Sequence, residues 1–154
     1  MNLTDLGTIQ RSTVIRAPRE RVWRALTTPA EFGKWFEVES AGAFSPGVRV
    51  RMVTTNENYQ GIVFYITIGE MKAPERFSWR WHPGSVQPDP SDTAAPMTEV
   101  VFQLDEVPEG TKVTVTETGF DTLSLERRAA IYKENSAGWE YQMESLARYA
   151  GNPA

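Results

Sequence analysis

The stretch TKVTVTETGFDTLSLERRAAIYKENSAGWEYQMESLARYA, residues 111–150, joins a strand pattern to a long helical pattern and decides the fold. Val113, Val115 and Glu117 share one face of a strand because side chains alternate along a strand, and Gly119 ends it. Beyond it, residues 124–150 carry a helical pattern. A wheel of about 100° per residue centred on Trp139 gives an inward stripe of Tyr132, Asn135, Gln142, Met143, Leu146 and Ala150. The stretch therefore predicts a last strand followed by one long C-terminal helix.

Short alternating segments precede this stretch. Residues 76–81, RFSWRW, alternate strictly and direct Phe77, Trp79 and Trp81 to one side. Similar alternation marks residues 48–52, 59–68 and 100–104, and residues 108–110 form a turn. Hairpin-length links exclude parallel pairing, so we predict a curved antiparallel sheet of about six to seven strands.

The N-terminal part adds one more strand and two short helices. Residues 8–16 are β-branched and read as the first strand, followed by helices over 19–28 and 30–36 that Pro29 separates. Only the last helix is long enough to cover one face of the sheet, so the class is α+β. We expect one domain over residues 8–150, with a flexible N-terminus at 1–7 and a tail at 151–154.

The amino-acid composition argues against several classes of function. The 154 residues include no Cys and one His, which excludes thiolate sites and disfavours a metal centre. A net charge of −4 argues against nucleic-acid binding. No apolar run is long enough for a membrane span, and residues 1–10 carry no signal-peptide pattern, so we expect a cytoplasmic protein. The glycines form no phosphate-cradling motif, and we expect no cofactor.

Several segments together resemble a known family. They are APRERVWRALTTPAEFGKWF, PGVRV, APERFSWRW, TKVTVTETGF and AGWEYQMESLARY, and the resemblance runs from about residue 8 to residue 150. They are similar to the Aha1 C-terminal-like (activator of Hsp90 ATPase homologue) branch of the START/Bet v 1 helix-grip superfamily, SRPBCC. The resemblance implies a helix-grip sheet around a deep apolar cavity beneath the last helix. Two departures are the long proline-rich loop at 82–96 and the reduction of the catalytic cousins' paired groups to Glu117 alone.

The space between the sheet and the last helix is the predicted ligand site. Aromatic rings give large contact areas at little cost in side-chain entropy, although such a stripe also suits a plain core. The candidate ligand-binding residues are Trp35, Phe36, Met52, Phe77, Trp79, Trp81, Phe102, Glu117, Asn135, Trp139, Gln142 and Met143.

Glu117 is the most informative polar residue, because strand alternation directs its carboxylate into the core. Three roles stay open: a proton-handling group, which makes it the one catalytic candidate, a hydrogen-bond anchor for a ligand, or half of a structural ion pair.

Three functions follow in order of preference. The first is binding of one small hydrophobic or amphipathic molecule. The second is an interaction module similar to the Hsp90 co-chaperone domain, with a chaperone as partner. The third is a cofactor-free acid-base cyclase or hydrolase of polyketide-like substrates acting through Glu117. Either a monomer or a homodimer is consistent with the sequence.

Overall fold

The computed structural model describes residues 7–84, 86–89, 91–92 and 94–151. Within that part of the chain, one sheet contains seven strands: β1 Thr8–Ile15, β2 Val38–Ser40, β3 Arg49–Thr54, β4 Val63–Lys72, β5 Arg76–Trp81, β6 Thr98–Val107 and β7 Gly110–Thr118. The helices are α1 Arg19–Thr27, α2 Pro29–Phe36 and α3 Leu125–Gly151, and a short 3-10 helix at Phe120–Thr122 precedes α3. The predicted α+β class is confirmed.

The sheet is antiparallel with the order β1-β7-β6-β5-β4-β3-β2. From β2 to β7 each strand pairs with the next along the chain, and this includes β5 and β6, which the long loop at 82–97 joins. The exception is β1, which pairs with β7 so that Thr8 lies opposite Thr118 and Ile15 opposite Thr111. The chain thus leaves one edge of the sheet after β1, forms α1 and α2, and re-enters at the other edge with β2.

A proline separates the two short helices. Thr28 lies between them as the C-cap of α1 and the N-cap of α2. Its backbone is extended (φ −92°, ψ 116°), the conformation that a residue before proline favours. Spacings of three and four residues then put apolar side chains on one face of each helix. These buried residues are Val22, Ala25 and Leu26 in α1 and Phe32, Trp35 and Phe36 in α2.

Helix α3 covers the inward face of the sheet. Its buried residues are Ile131, Trp139, Met143, Leu146 and Ala150. Burial of the last four confirms that part of the predicted stripe, whereas Ile131 was not predicted and Tyr132, Asn135 and Gln142 are partly buried. Two hydrogen bonds tie α3 to the end of α2, where helix carbonyls lack partners within the helix. Ser145 Oγ donates to the carbonyl of Trp35 at 2.6 Å, and Gln142 Nε2 donates to that of Phe36 at 3.4 Å.

Two strand boundaries differ from the sequence prediction. β2, at Val38–Ser40, was not predicted, because three residues are too few for alternation to be visible. The strand predicted at 59–68 lies instead at Val63–Lys72, and the residues before it form the β3–β4 turn, where Gly61 has φ +78°. The strand runs past Ile68 through an irregularity at which a Cβ on Gly69 would lie 2.7 Å from Ser78 Oγ.

The loop predicted at 82–96 is confirmed in its described residues, which belong to neither helix nor strand. Residues 1–6 and 152–154, predicted as a flexible N-terminus and a tail, lie outside the described residues, and Gly151, predicted as tail, ends α3. No helix in the described ranges is long and apolar enough to cross a membrane.

Candidate functional site

The carboxylate of Glu117 is the polar centre of the interior. Its side chain is fully buried on the inward face of β7, as alternation predicted. Trp139 Nε1 donates to Oε1 at 2.8 Å, while Trp81 Nε1 and Thr98 Oγ1 donate to Oε2 at 2.8 and 2.5 Å. Asn135 Nδ2 lies 3.0 and 3.1 Å from the two oxygens. The carboxylate therefore accepts from four side chains.

These donors come from three elements. Trp81 ends β5, Thr98 begins β6, and Asn135 and Trp139 are four residues apart on α3, so that they share a helix face. Each donor is neutral, and no cationic side chain among the described residues forms an ion pair with Glu117. The ion-pair alternative therefore finds no support, and neutral N–H and O–H donors supply the hydrogen bonds that the two carboxyl oxygens accept.

Rings surround this carboxylate on its apolar side. We call Phe32, Trp35, Phe36, Phe77, Trp79, Trp81, Phe102 and Trp139 the aromatic cluster. The ring of Trp139 lies 5.9 Å from Trp81, 6.2 Å from Trp79 and 5.7 Å from Phe102, so one helix residue contacts two strands. Edge-to-face and tilted contacts of this kind stabilise the packing beyond the apolar area that they bury.

The structure brings the candidate ligand-binding residues together on the inward face of sheet and helix. Fully or almost fully buried are Trp35, Phe36, Met52, Phe77, Trp79, Phe102, Glu117, Trp139 and Met143, whereas Trp81, Asn135 and Gln142 are only partly buried. The partly buried residues lie at the end of β5 and in the middle of α3. Whether any of them contacts a ligand stays a prediction.

Two contributors were missed by the sequence prediction. Thr98 shares strand parity with Val100 and Phe102, so the same alternation that identified Glu117 would have found it. Phe32 contacts Trp35, Phe36 and Trp79 at ring distances of 5.1, 4.7 and 5.8 Å, and its helical spacing from Trp35 and Phe36 carried the signal.

Five buried side-chain polar atoms have no hydrogen-bond partner within the described residues: Arg19 Nε, Ser40 Oγ, Trp79 Nε1, Arg128 Nε and Gln142 Oε1. Two of them, the donor Trp79 Nε1 and the acceptor Gln142 Oε1, belong to candidate ligand-binding residues. Both residues adjoin Phe36, since the ring of Trp79 lies 6.2 Å from that of Phe36 and the Gln142 amide binds its carbonyl. Buried polar groups are nearly always paired, so these two call for a partner.

Glu37, which follows Phe36 of the aromatic cluster, joins the end of α2 to the β3–β4 turn and to α3. It follows α2 in the left-handed conformation (φ 60°, ψ 56°), which is uncommon for a residue other than glycine. Its carboxylate accepts from Asn56 in the β3–β4 turn at 3.0 Å and from the hydroxyl of Tyr141 on α3. The hydrogen bond to Glu37, followed by burial and the charge of Glu37, raises the pKa of the Tyr141 hydroxyl.

The loop after β5 packs on the first half of α3. His82 Nδ1 lies 2.9 Å from the carbonyl of Pro96, and Gln87 Nε2 donates to the carbonyls of His82 and Gly84. A shallow pocket of about 130 Å³ lies between the loop and the helix start, lined by His82, Pro83, Val86, Gln87, Pro88, Ala95, Pro96, Leu123 and Arg127. Within the described residues, no group of three or more His, Asp or Glu side chains is arranged to hold a metal ion.

Comparisons with known proteins agree with this architecture. The sequence model of the family described as Activator of Hsp90 ATPase homolog 1-like protein matches residues 16–151. No curated protein matches the sequence.

Solved structures of similar fold come from several bacteria. A protein from Mesorhizobium loti is 24% identical, with a TM-score of 0.71 over 92% of this chain and 95% of its own. A protein from Arthrobacter aurescens is 15% identical, with a TM-score of 0.77 over 100% and 91%. The Aha1 dimer from Colwellia psychrerythraea is 19% identical, with a TM-score of 0.70 over 94% and 96%. At these identities the likeness concerns the fold.

Proposed function

The chain belongs to the Activator of Hsp90 ATPase homolog 1-like family, and from this premise we propose that it binds one small hydrophobic or amphipathic molecule between the sheet and α3. The ligand lies beside Phe36, on the side of the aromatic cluster where Trp81, Asn135 and Gln142 are only partly buried.

The observation that carries this proposal is the unpaired state of Trp79 Nε1 and Gln142 Oε1 among the described residues. Leaving a buried donor or acceptor unsatisfied costs about 1 to 3 kcal/mol per group. A bound molecule with one acceptor and one donor forms both missing hydrogen bonds and removes this cost. The aromatic side chains around it supply the apolar contact.

Glu117 acts in this proposal as a positioning residue. Its two oxygens hold the indole groups of Trp81 and Trp139, which fixes the two rings toward the ligand. A carboxylate oxygen offers about two acceptor positions, and the four donors fill those of Glu117. A group so occupied is poorly suited to take a substrate proton, which is why binding ranks above acid-base catalysis.

An interaction module is the second candidate, and the family description supports it. The similar Colwellia psychrerythraea structure is described as an Aha1 dimer, which makes a homodimer the assembly to test for this chain. In such a module the outer surface carries the function and the aromatic cluster serves as core.

The proposal is tested first by native mass spectrometry of the protein purified from its own host. We expect a mass above that of the chain by one small molecule, lost on denaturation. The second measurement is a fluorescence titration with 1-anilinonaphthalene-8-sulfonate, whose sulfonate oxygens are acceptors for Trp79 Nε1. Trp79→Phe removes that donor and should weaken binding about 10-fold, equivalent to one hydrogen bond of about 1.4 kcal/mol.

Trp23→Phe is the matched control, because Trp23 lies on α1 and contacts Phe77 from outside the aromatic cluster. It should leave the affinity unchanged within about 2-fold. A bare chain in the mass spectrum, together with equal dye affinities for parent, Trp79→Phe and Trp23→Phe, would contradict the proposal.

A further inference from the structure

We propose that the outer face of strands β3, β4 and β5 binds an extended acidic segment of a partner protein. The surface consists of Arg49, Arg51, Tyr65 and Arg80, and we call it the arginine face. It lies on the side of the sheet away from α3 and is independent of the ligand proposed above.

Strand alternation builds this face. In β3 the inward residues Val50 and Met52 are fully buried, which leaves Arg49 and Arg51 exposed on the outer side. Across the ladder Arg51 lies opposite Tyr65, and Arg49 lies opposite Thr67.

The pairing of β4 with β5 adds a third guanidinium group to this face. Thr67 lies opposite Arg80 of β5, so Arg49, Thr67 and Arg80 form one row across three strands. The guanidinium carbon of Arg49 lies 4.0 Å above the ring of Tyr65, which restricts its motion before any partner arrives.

These three arginines have no acidic partner within the described part of the chain. By contrast, Arg19, Arg21 and Arg76 each form an ion pair with a glutamate. Glu99 is exposed opposite Arg80 in the ladder but forms no ion pair with it. The arginine face ends at Glu99, on the neighbouring strand β6. The three charges therefore form a local positive region on the surface of a chain of net charge −4, which favours association with an acidic partner.

Spacing indicates the form of the partner. Arg49 and Arg51 are two residues apart on one strand, about 7 Å, and alternate side chains of an extended peptide repeat at the same distance. A segment with acidic residues at alternate positions, lying along β3, therefore places one carboxylate on Arg49 and one on Arg51. Arg80 lies two strands away across the sheet, about 10 Å, and adds positive charge beside the segment. A long polyanion such as nucleic acid would be repelled by the remaining acidic surface.

The test uses two fluorescein-labelled peptides of equal composition, TETETETET and TTTEEEETT, with binding followed by anisotropy at about 20 mM salt. We expect the parent protein to prefer the alternating peptide. In the triple variant Arg49→Gln, Arg51→Gln, Arg80→Gln, we expect binding of that peptide to weaken at least about 5-fold, the scale of three exposed ion pairs. Salt of about 0.5 M should weaken binding by the parent similarly.

The control is the triple variant Lys34→Gln, Lys112→Gln, Lys133→Gln, which changes net charge equally at exposed positions on α2, β7 and α3. It should retain at least half of the parent affinity, and both variants should melt within a few degrees of the parent. Equal binding of the two peptides, or equal losses in the two variants, would overturn the proposal. So would sedimentation showing that a dimer of the parent dissociates in the arginine variant, since a second copy would then be the occupant.

Discussion

Trp139 donates its indole N–H to Oε1 of Glu117 at 2.8 Å, a buried hydrogen bond that joins the middle of α3 to the end of β7. Because both side chains are buried, water does not compete for this hydrogen bond. The contact fixes which turn of the helix lies over the sheet, and with it the position of the aromatic cluster.

Replacing Trp139 by alanine should lower the free energy of unfolding by about 3 to 5 kcal/mol, because the change opens a cavity among the rings of Trp79, Trp81 and Phe102. Urea denaturation monitored by circular dichroism measures the difference. Trp139→Phe keeps most of the volume and should cost less. A melting temperature within about a degree of the parent for Trp139→Ala would show that the helix face is misplaced.

Glu117→Gln keeps the size of the side chain but turns one oxygen into a donor. Whichever oxygen is replaced, the new NH₂ group faces an indole N–H, from Trp139 or from Trp81. We expect a loss of about 1 to 3 kcal/mol in the free energy of unfolding, the cost of an unpaired buried donor. The control is Glu99→Gln, an exposed glutamate of β6, which should change stability by less than about 0.5 kcal/mol. Equal effects of the two changes would argue against the buried network.

Gly138→Ala should stabilise the protein by about 0.5 to 1 kcal/mol. Gly138 is exposed within α3, and a Cβ there would meet no atom within 4 Å among the described residues, so only the helix propensity changes. Gly110→Ala should do the opposite, since its φ is +142° and its Cβ would lie 2.2 Å from the carbonyl oxygen of Ile15. Thermal unfolding of the pair measures both signs, and a destabilised Gly138→Ala would mean that a neighbour uses this position.

The stability of the protein should fall in acid partly through Glu31. Burial alone would raise the pKa of this carboxyl, but hydrogen bonds from Arg21 and Tyr149 and the charges of Arg21 and Arg24 outweigh it and lower the pKa. The carboxylate therefore contributes stability above the pKa of the unfolded state, about 4.3, and the contribution is lost as the pH falls through the lower folded-state value.

Urea unfolding at pH 7 and at pH 3 tests this dependence on Glu31. Because the Arg21–Glu31 pair is partly exposed, Glu31→Gln should cost no more than about 1 kcal/mol at pH 7 and less than that at pH 3. A constant difference at the two pH values would assign the effect to packing instead.

Glu37→Gln should lower the pKa of Tyr141. The hydrogen bond to the carboxylate, with burial and the charge of Glu37, raises this pKa in the parent, and the amide removes the charge while it keeps an acceptor. The tyrosinate absorbance is measured in each protein and in its Tyr141→Phe counterpart, and the difference isolates Tyr141. An unchanged titration would indicate that Tyr141 does not contact Glu37 in solution.

The α+β class and the inward faces of the strands and of the last helix follow from local sequence patterns. Alternation in RFSWRW and in Val113, Val115 and Glu117 gave the inward side of β5 and β7, because a pleated strand fixes side-chain direction every second residue. The spacing of the last helix gave its buried stripe for the same local reason. Hairpin-length links then left only antiparallel pairing.

Tertiary structure decided what surrounds those faces. Glu117 was predicted to point inward, but its donors Trp81, Thr98 and Asn135 lie 36, 19 and 18 residues away along the chain. Strand register decided that Arg49 and Arg80, from β3 and β5, share one row. Periodicity reports only the neighbours of a residue within its own element, whereas contacts between elements depend on register, turn geometry and the packing of the helix on the sheet.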